Sequence, residues 1–302
     1  MEEKLKLLAQ LKKEKDAVIL AHYYTDDEVQ KIADYVGDSY FLSEKAREIE
    51  KKVIVMCGVS FMGESVKLLN PNKIVLLPDE TADCPMAHMA TVKKIQEVRK
   101  NYEDLAVVCY VNSTAELKAN SDVCVTSANA LKIVKNLPNK NIYFIPDKNL
   151  AHYISQKVTN KNFIFNDGYC YIHNSVTKEE VEMAKKKYPK AEILVHPECI
   201  KEVVEMGDYI GSTSGIIKYA TESLNKEFII CTEDGVLYEL KEKNPDKKFY
   251  LPKENFKCVG MKKITLDKII KALETNEPQV HLEETLIKNA YKPLENMLQM
   301  AK

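Results

Sequence analysis

Three cysteines are the first candidates for chemistry. Cys84, Cys170 and Cys258 stand 86 and 88 residues apart, each closing a similar stretch: IVLLPDETADC, FIFNDGYC and FYLPKENFKC. Three thiolates with a histidine would suit zinc, and His173, three residues after Cys170, could lie near such a site. Three thiolates alone would suit an iron–sulfur cluster with one iron left open, since such clusters ordinarily take four cysteines. An open iron can polarise a substrate oxygen as a Lewis acid. No CxxCxxC run is present, so spacing does not choose between the two. A buried cysteine is ordinarily a small hydrophobe. That reading suits Cys57, Cys109, Cys124 and Cys231 on apolar stretches, and Cys199 as well. It explains poorly a cysteine that returns at one place in three similar stretches.

Polar residues recur in the same rhythm. His22 and Tyr24, Tyr110 and Asn112, and His196 and Glu198 are pairs two apart after AVIL, AVVC and AEILV. On a continuing strand both members of a pair face one way. Ser39, Ser127 and Thr213 each follow an aspartate by five positions, in DYVGDS, DVCVTS and DYIGST. A hydroxyl entering a helix ordinarily serves as an N-cap. It can also meet an anion held by free backbone N–H groups. His88, His152 and His281 have no such recurrence and read as ordinary surface or core residues.

The elements that must carry these residues form three copies of about 87 residues. Each copy reads strand, helix, strand, helix, strand, helix, strand. Short apolar runs alternate with helical-period stretches such as SEKAREIEKK and KEEVEMAKKKY. This predicts an α/β protein of three repeats, each with a four-stranded parallel sheet covered by helices. The units are 1–84, 85–172 and 173–263, with helices in 264–302 packing back on the first. Ligands of open parallel sheets bind outside the carboxyl ends of the strands. About a pseudo-threefold axis, all three sets of residues would converge on one cavity.

The 302 residues carry a net charge of −1, which gives no electrostatic case for nucleic acid or an anionic membrane. The N-terminus MEEKLKLLAQLKKEKD is charged and amphipathic, unlike a signal peptide, and no apolar run reaches the ~18 residues of a membrane span. A cytoplasmic location is expected. Eight cysteines then speak for metal or thiol chemistry, or burial, rather than a disulfide framework.

The stretches ILAHYY, IADYVGDS, ETADCPMA, YVNSTAELK, VCVTSANA, the Cys170–His173 segment, VHPEC and YIGSTSGI together resemble the quinolinate synthase family along essentially the whole chain. The resemblance implies three Rossmann-like repeats around a central tunnel, with one [4Fe–4S] cluster per chain on Cys84, Cys170 and Cys258. It implies substrate contacts from His22, Ser39, Tyr110, Val111, Asn112, Ser127, His196, Pro197, Glu198 and Thr213. The implied reaction condenses iminoaspartate with dihydroxyacetone phosphate to quinolinate, phosphate and water, the open iron acting as Lewis acid. Glu198 is expected to move protons, with His196 and Tyr110 beside it, Tyr24 bridging substrate and wall, and His22 available as a further acid or base. Closing of the tunnel would move one repeat against the others. An aspartate oxidase or dehydrogenase would supply the imine.

The chain departs from the family at Tyr23, where asparagine is usual, and at Tyr171. Cys258 stands alone, as in the short type without the C-terminal CxxCxxC. A zinc-dependent lyase or aldolase and a binding protein with a structural metal are the rival readings.

Overall fold

The computed structural model of the chain describes residues 2–302. After α1 (Glu2–Glu14), the first repeat runs β1 (Ala17–His22), α2 (Asp27–Ile32), β2 (Tyr35–Gly37), α3 (Ser39–Glu48), β3 (Val53–Cys57), α4 (Ser60–Leu69) and β4 (Ile74–Leu76). The second runs α5 (Val92–Asn101), β5 (Leu105–Tyr110), α6 (Ala115–Ala119), β6 (Val123–Val125), α7 (Ala130–Asn136), β7 (Asn141–Ile145), α8 (Lys148–Lys157) and β8 (Asn162–Phe165). The third repeats the order with α9 (Lys178–Lys187), β9 (Glu192–Val195), α10 (Lys201–Val204), β10 (Tyr209–Ile210), α11 (Thr213–Glu222), β11 (Glu227–Cys231), α12 (Val236–Lys243) and β12 (Lys248–Tyr250). α13 (Leu266–Thr275) and α14 (Glu284–Met300) close the chain.

All three sheets are parallel and share one order: β2-β1-β3-β4, β6-β5-β7-β8 and β10-β9-β11-β12. The first and third strands of each repeat are therefore adjacent, and the chain leaves them in opposite directions. That is a topological switch point, where open sheets hold their ligands.

Alternation along the strands explains why both faces are covered. In β1, Val18 and Leu20 face the large central core, whereas Ala17, Ile19 and Ala21 pack with Leu8 and Leu11 of α1 and with α13. In β11, Phe228 and Ile230 face inward, and Ile229 and Cys231 join the outer cluster with Val181 of α9.

The recurring aspartates have a structural task. Asp34, Asp122 and Asp208 precede the second strand of each repeat and accept the N–H of Ile19, Val107 and Ile193 at 2.7, 2.7 and 2.8 Å. Their own N–H groups return to the carbonyls of the same three residues. Each aspartate thus clamps the first strand to the second and fixes where the following loop leaves the sheet.

The C-terminal segment divides between two repeats. α13 packs on α1 and β3, and α14 lies against α6 and β6 of the second repeat and α4 of the first. Its buried stripe of Ala290, Pro293, Leu294, Met297 and Leu298 has helical spacing and covers a seam between the two units. No described helix is long and apolar enough to cross a membrane.

Candidate functional site

A cavity opens where the carboxyl ends of the three sheets meet, with about 670 Å³ of non-atom space counted together with its open mouth. His22 ends β1 and Tyr110 ends β5, while His196 follows β9 by one residue. All three line the cavity, as do their partners Tyr24, Asn112 and Glu198. Ser39, Ser127 and Thr213 line it, and so do Cys84, Cys170 and Cys258. Val111 and Pro197 lie between lining residues but are not part of the wall. Val111 faces the apolar core, and its N–H is bonded to the Val125 carbonyl, because side chains of successive residues diverge.

The hydroxyls differ from expectation by one position. Asp38 and Ser212 are the N-caps of α3 and α11, accepting from Phe41 N–H and Gly215 N–H. Ser39 and Thr213 are the first helical residues, so their hydroxyls are not used as caps. Ser127 sits before α7, whose N-terminal turn is tied by Asn129 Oδ1 accepting from Thr126 N–H at 2.7 Å. Asn112 Oδ1 and Thr126 Oγ1 are buried and have no protein partner among the described residues. Buried polar atoms of this kind mark places for a ligand to satisfy.

Glu198 stands at the centre, 3% exposed. Its Oε1 accepts from the Tyr110 hydroxyl and its Oε2 from His173 Nδ1 at 3.0 Å. Burial pushes the carboxyl up, but His173, His196 and these hydrogen bonds outweigh it, leaving it lowered to about 2. The same carboxylate acts in the other direction on Tyr110. Burial and then Glu198 raise that phenol well above its ordinary value, so it stays a donor.

Tyr24, whose phenol is also raised by burial, joins the repeats through Thr213 Oγ1 at 2.7 Å and Thr232 Oγ1 at 2.6 Å. Thr232 Oγ1 in turn meets His173 Nε2 at 2.9 Å. With Nδ1–H assigned as the donor to Glu198, the hydroxyls align as one chain from Thr213 through Tyr24 and Thr232 to His173.

His22 and His196 are twins. Nδ1 of each accepts the N–H two residues on, from Tyr24 at 3.1 Å and Glu198 at 3.3 Å. An accepting Nδ1 places the proton on Nε2 in the neutral ring. Burial lowers both to about 3, against the opposing pull of Glu198. The unfolded chain binds protons at these two residues below its pKa of 6.5, and the native state does not until about 3. Their stabilising contribution is therefore full above pH 6.5 and is lost as pH falls toward 3. The slope is at most about 1.4 kcal/mol per pH unit for each ring. Metal-free protein should thus melt at progressively lower temperature from pH 6.5 to pH 5, and a His22→Gln/His196→Gln double variant should flatten that dependence. Parallel curves for the two proteins would refute the assignment.

The cysteines divide as their sequence contexts suggest. All eight are free thiols. Cys57, Cys109, Cys124, Cys199 and Cys231 are buried among strand and core residues, whereas Cys84, Cys170 and Cys258 are half-buried and line the cavity. A short 3-10 turn comes at or soon after each of the three: Pro85–His88, His173–Ser175 and Met261–Lys263. Burial and then Cys258 push the Cys84 thiol up to about 12, and burial, Glu198 and Cys84 raise Cys170. Thiols that feel each other's charge in a buried wall are a donor set fit for a cationic centre, which would draw off their protons. The cavity also brings Cys170, His173 and Glu198 ligand atoms within 4.8 Å of one another, a grouping that could hold a single ion.

The sequence placed His173 only near the site. It is 2% exposed, bonded to Glu198, within 3.2 Å of Cys170 Sγ, and stacked on His196 at 4.4 Å. Asp38, Thr126 and Glu233 also line the cavity and were not singled out from the sequence.

Comparison with known proteins gives consistent relatives. The family profile described as "NadA: Quinolinate synthetase A protein" matches residues 6–299. A protein named quinolinate synthase from Clostridioides difficile strain 630 is 52% identical over 294 residues, 97% of this chain and 97% of its own. One of the same name from Fusobacterium nucleatum is 54% identical, over 97% and 98%. Another, from Caldicellulosiruptor bescii, is 51% identical over 96% of each chain.

Proposed function

The chain belongs to the quinolinate synthase family, enzymes of NAD biosynthesis, and on that premise we propose that it condenses iminoaspartate with dihydroxyacetone phosphate to quinolinate, releasing phosphate and water. The observation that carries this reading is the placement of Glu198. It is a carboxylate held between Tyr110 and His173, in a cavity to which every repeat also contributes one cysteine.

Both substrates are anions. Ser39, Ser127 and Thr213, with the Nε2–H of neutral His22 and His196, bind their carboxylate and phosphate oxygens as donors. The unpartnered Asn112 Oδ1 accepts from the nitrogen of the imine or its enamine tautomer. Glu198 takes a proton from a substrate carbon and returns it to an oxygen, and the Tyr110 phenol donates to the oxygen that gains charge. His173 holds the carboxylate in place and shares its proton through Nδ1. The buried walls keep out the water that would hydrolyse the imine. Cys84, Cys170 and Cys258 would hold a [4Fe–4S] cluster, whose iron without a protein thiol supplies a Lewis acid for substrate oxygen.

The Cys170–His173–Glu198 grouping favours a second reading, a single zinc ion. His173 and Glu198 are already committed to each other, which suits proton transfer better than ligation. The test is iron and sulfide analysis of anaerobically prepared protein, together with turnover on freshly generated iminoaspartate and the triose phosphate. About four irons and four sulfides per chain are expected for one such cluster, with quinolinate formed. Zinc without sulfide, or no quinolinate from cluster-loaded protein, would overturn the proposal.

A further inference from the structure

In two of the three repeats a buried carboxylate takes the backbone N–H of the cysteine on the cavity wall. Cys170 N–H donates to Asp147 Oδ2 at 3.1 Å, and Cys258 N–H donates to Glu233 Oε1 at 2.9 Å. The two carboxylates occupy equivalent places, two residues beyond the ends of β7 and β11. Asp147 is 0% exposed and Glu233 1%. Each commits its other oxygen to the turn that follows: Asp147 Oδ1 to Leu150 N–H, capping α8, and Glu233 Oε2 to Gly235 N–H, both at 2.7 Å. The first repeat has Val59 at that place. There Asp83, beside the cysteine, is held by Ser60 Oγ and His88 Nε2.

Burying a carboxylate to satisfy two peptide N–H groups is an expensive solution, since backbone carbonyls or waters would do; Lys262 Nζ, 3.2 Å away, offsets part of that cost for Glu233. Its recurrence at equivalent places in two repeats points to a shared requirement at the thiols. We propose that Asp147 and Glu233 are positioning residues for Cys170 and Cys258 at the proposed metal site. By fixing each cysteine N–H on a carboxylate oxygen, they aim the Sγ atoms at a common centre and withhold those N–H groups from sulfur. The inference rests on the cluster reading above. Hydrogen bonds donated to cluster sulfurs stabilise the more negative, reduced form and raise the potential. Withholding them keeps the potential low, so the cluster stays oxidised and serves as a Lewis acid rather than an electron carrier.

The discriminating variant is Asp147→Ser. Its single hydroxyl keeps the cap on Leu150 N–H but cannot also reach Cys170 N–H. Cluster-free Asp147→Ser should melt close to wild type. Loaded protein should show a midpoint potential shifted positive in anaerobic redox titration, and should lose iron to a chelator about 10-fold faster, the scale seen when a hydrogen-bond partner behind a metal ligand is removed. Glu233→Gln, which leaves one acceptor oxygen for two N–H groups, should shift both readouts the same way and replaces the first variant if that one does not fold. Unchanged potential and unchanged iron release in loaded variants would overturn the inference alone. Wild-type protein that takes up no cluster would remove the underlying reading as well, and is recognised before any variant is compared.

Discussion

Glu198→Gln protein is expected to keep its iron and lose its turnover. The substitution preserves shape: the amide oxygen can still accept from the Tyr110 hydroxyl. What disappears is the proton acceptor, and the amide N–H₂ is turned against His173 Nδ1. Positioned general acid–base groups contribute about 10²–10⁴-fold, so kcat should fall by about that factor while KM changes little. The pairing of measurements matters. Iron content and the visible cluster spectrum report the cysteine site, and steady-state quinolinate formation reports the carboxylate. A variant with a near wild-type kcat would remove Glu198 from the chemistry. One that lost iron in proportion to activity would make it a ligand, as the Cys170–His173–Glu198 grouping allows.

The second large effect is the loss of the proposed metal centre. Cys84→Ala, Cys170→Ala and Cys258→Ala should each abolish iron binding and turnover together, and to the same extent. The three thiols line one cavity and no other described cysteine is placed to substitute: the remaining five are buried and do not line it. Cys57→Ala serves as the control. Cys57 is fully buried at the end of β3 in the outer cluster of the first repeat. Truncating it should cost about 1 kcal/mol or somewhat more in packing, lower the melting temperature and leave iron per chain unchanged. Full iron in any one of the three site variants would break the proposed ligand set.

The parts of this molecule that the sequence made legible are those that repeat. Asp34, Asp122 and Asp208 recur because each must clamp a first strand to a second, a need set by backbone geometry and therefore identical in every unit. The polar pairs and the three cysteines recur in the same rhythm. Residues that belong to one repeat alone were harder to place. His173 follows its cysteine by three residues, but the matching positions hold Ala87 and Met261, so no rhythm announces it. Capping slipped by one residue because Asp38 and Ser212 outcompete the hydroxyls that follow them for the free N–H groups. The direction of α14 was hidden for a different reason. Its apolar stripe says that it must be buried but not on which unit, and it lies across elements of two repeats.

The bond from Tyr110 to Glu198 spans 88 residues of chain, and those from Tyr24 to Thr213 and Thr232 span 189 and 208. Three look-alike units therefore own a single workplace, and none of them holds a working fraction of it. A ribosome partway through this message has made sheets that can fold, yet nothing that can turn over substrate. Competence arrives in one step, late, when the last third docks and the threonines of that third reach back to a tyrosine synthesised near the start.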